Sequence, residues 1–167
     1  MKTQDIGKYG SREAAERVPS AQIKKKPTVQ DLQDTLYELI SQKFAVHQAH
    51  WNVQGPLFAS LHELFETMYK DLEKLIDEVA ERKVIIGEAA DGRPEAVAEH
   101  VKLTKFPTGT ISDKQSLDVL TARYLEFSDN LAQRLEQTGE TDITTQDILI
   151  KVKRIVDMHL WQLRACN

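Results

Sequence analysis

Apolar residues recur three and four positions apart in four long stretches of this sequence, the spacing that lines one face of an α-helix. The stretches cover about 28–52, the segment from Pro56 to about Gly87, the segment from Ser112 to Gly139, and a last segment that reaches almost to the C-terminus. Only seven glycines and five prolines interrupt 167 residues, and no segment alternates as a half-buried strand does. The pattern predicts an all-α protein built as a four-helix bundle.

The segments between these helices carry their own signals. Residues 52–56 (Asn-Val-Gln-Gly-Pro) break the chain after the first helix, whose N-cap is expected at Thr28. Ser112, with Gln115 three residues on, predicts the start of the third helix as a capping box. Residues 94–100 are expected to form a short extra helix in the connection between helices two and three. This connection, of about 25 residues, can cross the bundle, so helices two and three are predicted to run parallel.

The formal net charge of −4 conceals two unlike regions. Residues 1–27 carry seven basic and three acidic side chains, a net of +4, which leaves a net of −8 on the remaining residues. This first region lacks apolar periodicity and ends in three lysines and a proline, so we interpret it as a flexible basic arm before a bundle domain at 28–167. Its side chains Lys24, Lys25 and Lys26 could make non-specific contacts to DNA phosphates.

Neither a membrane span nor a secretory signal is evident. No apolar run approaches the ~18 residues that a transmembrane helix needs, and the first residues do not form the apolar stretch of a signal peptide. We therefore expect a cytoplasmic protein with no membrane partner, associated with the nucleoid if the arm binds DNA. The single cysteine, Cys166, excludes an intrachain disulfide and a cysteine-rich zinc site.

Histidines and carboxylates with metal-ligand character concentrate between His50 and Glu81. His62 and Glu66 are four residues apart on the second helix, as are Asp77 and Glu81, so each pair shares one helix face. Imidazole and carboxylate form a ligand set suited to iron or manganese, and zinc accepts a similar set. Carboxylates at this spacing also occur as an ordinary solvated helix face, so the spacing alone leaves both interpretations open.

The two pairs cannot belong to one metal site on a single helix. Glu66 and Asp77 are eleven residues apart in the sequence, which places them ~16 Å apart along the helix axis. Either the pairs serve different sites, or each pair meets the other pair on a second copy of the chain packed antiparallel about a two-fold axis. In the second arrangement His50, on the preceding helix, could complete the half that contains His62 from the same chain.

A longer run around the first of these histidines resembles a known family. Residues 48–58 (Gln-Ala-His-Trp-Asn-Val-Gln-Gly-Pro-Leu-Phe), continuing to 61–63 (Leu-His-Glu), resemble the Dps family, the DNA-binding proteins from starved cells. Residues 77–82 (Asp-x-x-x-Glu-Arg) are similar to the family's second signature, and residues 160–161 (Leu-Trp) match its ending. With the helix order and the short connecting helix, the resemblance covers residues from about 28 to 165.

This resemblance implies a ferritin-like four-helix bundle that assembles as a dodecameric cage with ferroxidase sites at its two-fold interfaces. Such a protein oxidises Fe(II), preferentially with hydrogen peroxide, and stores the Fe(III) mineral inside the cage, which protects against oxidative damage. On the family pattern, one subunit supplies His50, His62 and Glu66, and its two-fold mate supplies Asp77 and Glu81. Iron is the metal that the resemblance implies, with zinc or manganese as substitutes.

Four further expectations concern single residues. Glu66 stands where the family more commonly has aspartate, so its longer side chain changes the reach of that ligand. Trp51 follows His50 directly, and by resemblance a tryptophan beside an iron–peroxide site could take up stray oxidising equivalents; packing in a core or interface is the ordinary alternative. His47, one turn before His50, is a candidate to orient that ligand. His159 lies on the apolar stripe of the last helix and is expected to be a packed core residue.

A route for iron into the cage is also implied by the resemblance. Glu140, Asp142 and Asp147 cluster at the turn into the last helix, where the family forms acidic pores at three-fold axes. The ordinary explanation is that acidic side chains favour helix N-termini. Both explanations apply at this stage.

Two alternatives to the ferroxidase stand beside it. One is a non-specific DNA-compacting nucleoid protein with a weak or vestigial metal site, and the other is a manganese or zinc binder in the same bundle. The basic arm is compatible with the ferroxidase and with the DNA-compacting protein. The complete set of five metal-type side chains favours the ferroxidase, because a purely structural protein does not need them in this spacing.

Overall fold

The computed structural model describes residues 25–139 and 142–167, with side chains from Thr28 onward. The predicted arm up to Lys24, together with Glu140 and Thr141, lies outside the described residues. The elements in chain order are α1 (Lys25–Asn52), β1 (Val53–Gln54), α2 (Phe58–Ile85), α3 (Pro94–His100), β2 (Ile111–Ser112), α4 (Asp113–Thr138) and α5 (Ile143–Cys166).

The four long helices pack as two antiparallel pairs, α1 with α2 and α4 with α5. Polar contacts fix the register between the pairs: Asn130 Nδ2 donates to Glu38 Oε1 at 2.7 Å, and Thr138 Oγ1 donates to Asp31 Oδ2 at 3.1 Å. Because α1 is antiparallel to both α2 and α4, those two helices run parallel. The predicted crossover connection and the predicted all-α four-helix bundle are therefore confirmed.

One apolar face of each long helix forms the core. Phe44 lies four residues after the buried Ile40, as an apolar stripe requires, but it is 59% exposed. Residues two positions apart point to roughly opposite sides of an α-helix. Because Val46 is completely buried, Phe44 points away from the core. The largest completely buried side chains are Tyr124, Phe65, Phe127, Leu32, Leu36, Leu39, Leu61, Met68, Leu72, Leu117, Leu120 and Leu131.

The first helix begins earlier than its sequence signal indicated. Its first residue is Lys25, three residues before the predicted N-cap at Thr28, which is completely buried within the first turn. Pro27 does not prevent this, because the first backbone N–H groups of a helix have no intrahelical acceptor and proline lacks only that group. Residues 25–27, assigned to the arm from sequence, are thus helical.

A two-residue parallel pairing, not foreseen from the sequence, joins the end of α1 to the start of α4. Val53 pairs with Ile111 and Gln54 with Ser112. The chain then turns at Gly55, which has a φ of +135° and lies against the Asp113 carboxylate. Leu57 N donates to Asp113 Oδ2 at 3.2 Å, so the loop that leads into α2 is fixed to the first turn of α4.

The second helix is two residues shorter at each end than the predicted stretch from Pro56 to about Gly87, whereas the boundaries of α3 and α4 agree with their sequence signals. Ser112 Oγ accepts from Gln115 N at 3.1 Å, as the predicted capping box requires, and Gly139 ends α4. Residues 94–100 form the short extra helix that was expected in the connection. None of the described helices is long and apolar enough to cross a lipid bilayer.

Candidate metal centre

Two histidines meet where α1 ends and α2 begins. His50 Nδ1 lies 2.8 Å from the main-chain oxygen of His62, and His62 Nδ1 lies 2.8 Å from the main-chain oxygen of His50. The two rings are stacked, with centroids 3.8 Å apart and planes 22° apart. The turn at residues 53–57 produces this arrangement, because it returns the chain antiparallel to α1 within a few residues.

These reciprocal contacts fix the tautomer that each ring has when it is neutral. A carbonyl oxygen only accepts, so each Nδ1 carries the hydrogen and donates it. Each neutral ring then has its lone pair on Nε2, which is the nitrogen that can bind a metal. A histidine ligand whose other nitrogen donates to a backbone carbonyl is a common arrangement in metal sites, since the bond orients the ring. The stacked rings thus present two oriented Nε2 atoms, side by side, that can bind a metal.

Glu66, one turn along α2 from His62, is engaged by Lys70 four residues further on. The hydrogen bond from the Lys70 ammonium, followed by its charge, lowers the pKa of the Glu66 carboxyl, and the nearby His50 and His62 act in the same direction. The carboxylate is therefore ionised near neutral pH. Both side chains of the ion pair are largely exposed, so an incoming cation can displace the ammonium.

Asp77 and Glu81 lie further along the same unbroken helix α2. Both side chains are exposed, and neither has a hydrogen-bond or ion-pair partner among the described residues. No group of three or more histidine, cysteine, aspartate or glutamate side chains comes together as a metal site within residues 25–139 and 142–167 of one chain. In the single subunit only His50 and His62 therefore meet, while Glu66, Asp77 and Glu81 follow one another along α2.

An aromatic cluster adjoins His50. The His47 ring lies 4.1 Å from the Trp51 ring and 4.1 Å from the Tyr69 ring, centroid to centroid, and the Tyr69 ring meets His50 edge-on at 5.4 Å. Burial, and then the neighbouring His50, lower the pKa of His47. His47 therefore contacts its neighbours through its ring face, and it makes no hydrogen bond to His50 among the described contacts. Sequence reasoning missed Tyr69, whose only signal is its position seven residues after His62 on α2.

Trp51 is exposed over 63% of its surface in the single subunit. Its ring packs on His47 and does not enter the core. An exposed tryptophan next to the stacked histidines is free to contact a second chain or an oxidant in solution. Both sequence interpretations of Trp51, as interface residue and as electron donor, are compatible with this position.

His159 is completely buried in the centre of the bundle, as expected for a core histidine. Its Nδ1 lies 3.1 Å from the Tyr124 hydroxyl, and its Nε2 lies 3.5 Å from Asp71 Oδ2. Burial lowers the pKa of His159, which outweighs the opposite effect of the Asp71 carboxylate. The sequence pattern gave no sign that these three side chains from three helices would meet.

Asp142 has a structural role that the sequence left open. It is the N-cap of α5, and its carboxylate accepts from Thr144 N and Thr145 N and pairs with Arg82 at 2.8 Å. Its side chain is only 7% exposed, so the carboxylate is not available to line a pore. Of the three predicted pore residues, Asp147 is exposed, and Glu140 falls outside the described residues.

The model of the ferritin-like domain family matches residues 29–166 of the chain. Among characterised proteins, the chain is 36% identical over 140 residues to DNA protection during starvation protein 2 of Deinococcus radiodurans, covering 84% of this chain and 58% of that protein. It is 36% identical over 135 residues to the DNA protection during starvation protein of Agrobacterium fabrum, covering 80% of this chain and 83% of that protein. The chain thus spans a little over half the length of the Deinococcus relative.

Solved structures of similar proteins have the same fold. The crystal structure of Dps92 from Deinococcus radiodurans superimposes with a TM-score of 0.82 at 36% identity, over 83% of this chain and 84% of that chain. The structure of a Dps from Microbacterium arborescens in the high-iron form superimposes with a TM-score of 0.79 at 28% identity, over 83% of this chain and 91% of that chain. The short helix α3 in the crossover connection accords with this fold.

Proposed function

Because the chain belongs to the Dps family of ferritin-like proteins, we propose that it oxidises Fe(II) at ferroxidase sites between subunits and stores the Fe(III) product in a hollow cage. The observation that carries the proposal is the reciprocal hydrogen bonding of His50 and His62, which leaves both Nε2 atoms free as ligands. A purely structural pair of histidines would not need both Nε2 atoms free, with the ionised Glu66 carboxylate one helical turn along α2 from His62.

The donor chemistry fits iron as the substrate. Two imidazole nitrogens and the ionised Glu66 carboxylate supply one half of the site, and this mixture of nitrogen and oxygen donors suits iron, with zinc or manganese as competitors. Lys70 holds Glu66 until a cation arrives. The substitution of glutamate for the commoner aspartate gives this ligand one extra methylene and hence a longer reach.

The second half of the site would come from a two-fold mate. Asp77 and Glu81 are exposed and without partners among the described residues, and they lie eleven and fifteen residues after Glu66 on the same unbroken helix. Antiparallel packing of two α2 helices brings each His50–His62–Glu66 half against the Asp77–Glu81 half of the other chain. Six such dimers would form the dodecamer implied by the family, and the exposed Trp51 would lie at or near the interface.

The overall reaction removes ferrous iron and hydrogen peroxide, which together cause oxidative damage. Two ferrous ions each give one electron to one hydrogen peroxide, which takes up two protons and becomes two water molecules. Reducing peroxide by two electrons avoids the hydroxyl radical that a single ferrous ion generates. The ferric ions then hydrolyse to an oxyhydroxide mineral and release protons, and exposed carboxylates such as Glu63 are suited to nucleate it inside the cage.

The first experiment tests the site directly. The protein is loaded with ferrous iron without oxygen, hydrogen peroxide is added, and ferric absorbance is followed for the parent and for the double variant His50→Ala/His62→Ala. Rapid oxidation in the parent, lost in the double variant, with iron co-eluting with a large cage, supports the proposal. His100→Ala is the matched control, because His100 also holds a backbone carbonyl through Nδ1 but lies on α3. Equal slow oxidation and no retained iron in parent and double variant would refute it.

A second experiment tests whether two chains share the site. Cages of His62→Ala subunits and cages of Asp77→Ala subunits are each expected to oxidise iron slowly. Cages assembled from both kinds of subunit contain mixed dimers in which one of the two sites at the interface combines an intact histidine half with an intact carboxylate half. Mixed cages are therefore expected to recover activity, and no recovery beyond the average of the two parents would contradict an intersubunit site.

DNA protection is the second candidate function, because relatives from Deinococcus radiodurans and Agrobacterium fabrum are named for it. In this chain it would rest on the basic arm, which carries a net +4 against the −8 of the other residues. Binding would be non-specific and would weaken steeply with salt. Gel retardation by the Lys24→Ala/Lys25→Ala/Lys26→Ala variant tests it, and undiminished retardation would exclude the lysine cluster. A cytoplasmic, nucleoid-associated location is part of this proposal.

A further inference from the structure

Four helices each contribute one side chain to a polar cluster inside the bundle. Tyr124 of α4 is completely buried, and its hydroxyl lies 3.1 Å from His159 Nδ1 of α5. The other ring nitrogen, Nε2, faces Asp71 Oδ2 of α2 at 3.5 Å but makes no hydrogen bond to any described residue. The Gln42 amide of α1 lies beside the phenol. Polar groups are rare in a packed core, so this cluster calls for a role.

The contacts of His159 indicate which of its ring nitrogens carries the hydrogen. The Asp71 carboxylate favours the tautomer of His159 that carries its hydrogen on Nε2, so Nδ1 has the lone pair. The Tyr124 hydroxyl must then donate to Nδ1. The 3.5 Å contact from Nε2 to Asp71 is electrostatic and not a hydrogen bond, and the attraction strengthens if the imidazole gains charge. A proton that leaves Tyr124 can thus bind to His159 Nδ1, and the resulting imidazolium lies next to the Asp71 carboxylate.

We propose that Tyr124, His159 and Asp71 form a redox relay in which the buried phenol gives up one electron to a strong oxidant while its proton moves to His159. This gives the subunit a store for stray oxidising equivalents inside its core. Asp71, the only member of the relay with solvent contact, neutralises the charge that results. A protective role of the relay during iron oxidation rests on the proposed ferroxidase function. The ability of Tyr124 to form a radical does not depend on that function.

The step balances in both directions. A one-electron oxidant of the hydroxyl-radical class, or an oxidised exposed tryptophan, takes one electron from Tyr124. The phenolic O–H bond breaks, the proton bonds to His159 Nδ1, and a neutral tyrosyl radical faces an imidazolium paired with Asp71. A ferrous ion then returns one electron, becomes ferric, and the proton goes back to the phenolate oxygen. No proton enters or leaves the core in the cycle.

The protonation states before oxidation suit this exchange. Burial raises the pKa of the Tyr124 phenol well above its usual range, so the phenol is protonated at neutral pH. Burial lowers the pKa of His159, so the imidazole is neutral and can accept. These directions follow from the packing around the two side chains and agree with the geometry of their hydrogen bond.

The other described tyrosines have no base next to their hydroxyl groups. Tyr37 stacks on His100 with ring centroids 5.1 Å apart, and Tyr69 stacks on His47. Neither hydroxyl has a hydrogen-bond partner among the residues that the structure describes, whereas that of Tyr124 faces a base. Oxidation of a phenol near neutral pH requires loss of its proton, so a ring contact alone does not stabilise the radical. Tyr37 and Tyr69 therefore serve as matched controls.

An iron-free experiment tests the relay itself. Azide radicals produced by a radiation pulse oxidise accessible tryptophans, here Trp161, which is 67% exposed, and any Trp51 that the subunit interface leaves accessible. The decay of the tryptophan radical into tyrosyl radical absorption is then followed in the full-length assembled protein. Tyr124→Phe is expected to remove most of the tyrosyl absorption, and Tyr37→Phe and Tyr69→Phe are expected to retain it. An unchanged yield in Tyr124→Phe, or a yield lost only in Tyr69→Phe, would overturn the proposal.

Two further readouts separate the relay from a merely structural hydrogen bond. His159→Gln is expected to slow tyrosyl formation and to diminish its solvent deuterium isotope effect, because the base that takes the proton is gone. In the second, ferrous iron and peroxide are mixed and frozen, and the tyrosyl signal is recorded by electron paramagnetic resonance in protein with ring-deuterated tyrosine. Ferric absorbance in the same samples reports the ferroxidase independently, so ferric formation without a Tyr124 radical would refute the relay alone.

Discussion

His50 and His62 each use Nδ1 to hold the main-chain carbonyl of the other, at 2.8 Å in both directions. The symmetry of this exchange couples the end of α1 to the start of α2 and fixes two ligand rings with one turn. An imidazole fixed in this way binds a metal without first losing rotamer freedom or changing tautomer. The candidate site is therefore oriented in the single chain even though its carboxylate half lies elsewhere on α2.

Replacing Trp51 tests whether it donates electrons near this site. Trp51→Phe keeps an aromatic ring against His47 but removes the more easily oxidised indole. We expect more radical to escape when ferrous iron and peroxide are mixed, measured by spin trapping. Trp161→Phe is the matched control, since Trp161 is equally exposed but lies on α5. Equal leakage from both variants and the parent would show that Trp51 has only a packing role.

Removing the ammonium that occupies Glu66 should strengthen metal binding. In Lys70→Met the carboxylate loses its hydrogen-bonded competitor, so the apparent affinity for ferrous or zinc ions at neutral pH is expected to rise by about two- to fivefold, as for an exposed ion pair. Anaerobic titration calorimetry gives the affinity. Lys74→Met removes a lysine one turn further along α2, and the same gain in that variant would mean that only overall charge matters.

A methyl group at Gly55 should disturb the turn that brings the histidines together. Its Cβ would lie 2.5 Å from Asp113 Oδ2, and the residue has a φ of +135°. Asp113 cannot easily move, because its Oδ2 accepts from Leu57 N. We expect Gly55→Ala to lower the free energy of unfolding by about 2–3 kcal/mol.

Gly109→Ala is the control for this substitution. Gly109 also has a positive φ, +82°, but a Cβ there meets nothing within 4 Å. It is expected to cost about 1 kcal/mol from backbone strain alone. Thermal unfolding midpoints at equal subunit concentration compare the two variants, and equal losses would show that the Asp113 contact is unimportant.

Loss of the Asp142 carboxylate should destabilise the junction of α2 and α5. Asp142→Ala removes the N-cap of α5 and leaves Arg82, whose side chain is 13% exposed, without its bidentate partner. We expect a loss of about 2–4 kcal/mol in unfolding free energy, measured by denaturant titration. Asp147→Ala, an exposed carboxylate on the same helix, should change it little. A negligible effect of Asp142→Ala would contradict the structural role.

The same carboxylate predicts an acid dependence. Burial acts to raise the pKa of Asp142, but hydrogen bonds from Thr145 and Arg82 outweigh it and hold the pKa below the ordinary 3.8. A carboxyl whose pKa is lower in the folded state stabilises the protein at pH values above its pKa in the unfolded state. This stabilisation is lost as the pH falls through its pKa in the folded state. The difference in stability between the parent and Asp142→Asn should therefore shrink below about pH 4, and a constant difference would refute this.

Sequence reasoning predicted the elements with local signals. Residues 94–100 have a proline at the first helical position, and Ser112 has its capping partner three residues away, so both boundaries follow from short-range chemistry. The start of α1 was predicted three residues late, because Pro27 reads as a stop although the first turn tolerates it. Phe44 has the spacing of a core residue but is exposed, because spacing alone does not show how the buried face shifts along a long helix.

The sequence by itself determined which side chains could bind a metal and that their two halves lie about 16 Å apart on one helix, because residue type and helical rise are local properties. Only the tertiary structure decided that the rings of His50 and His62 exchange backbone hydrogen bonds, that Asp142 is bound to Arg82, and that Tyr124 faces His159. Those contacts join residues from different helices. Their distances depend on how four helices pack around a shared core, which no local spacing in the chain encodes.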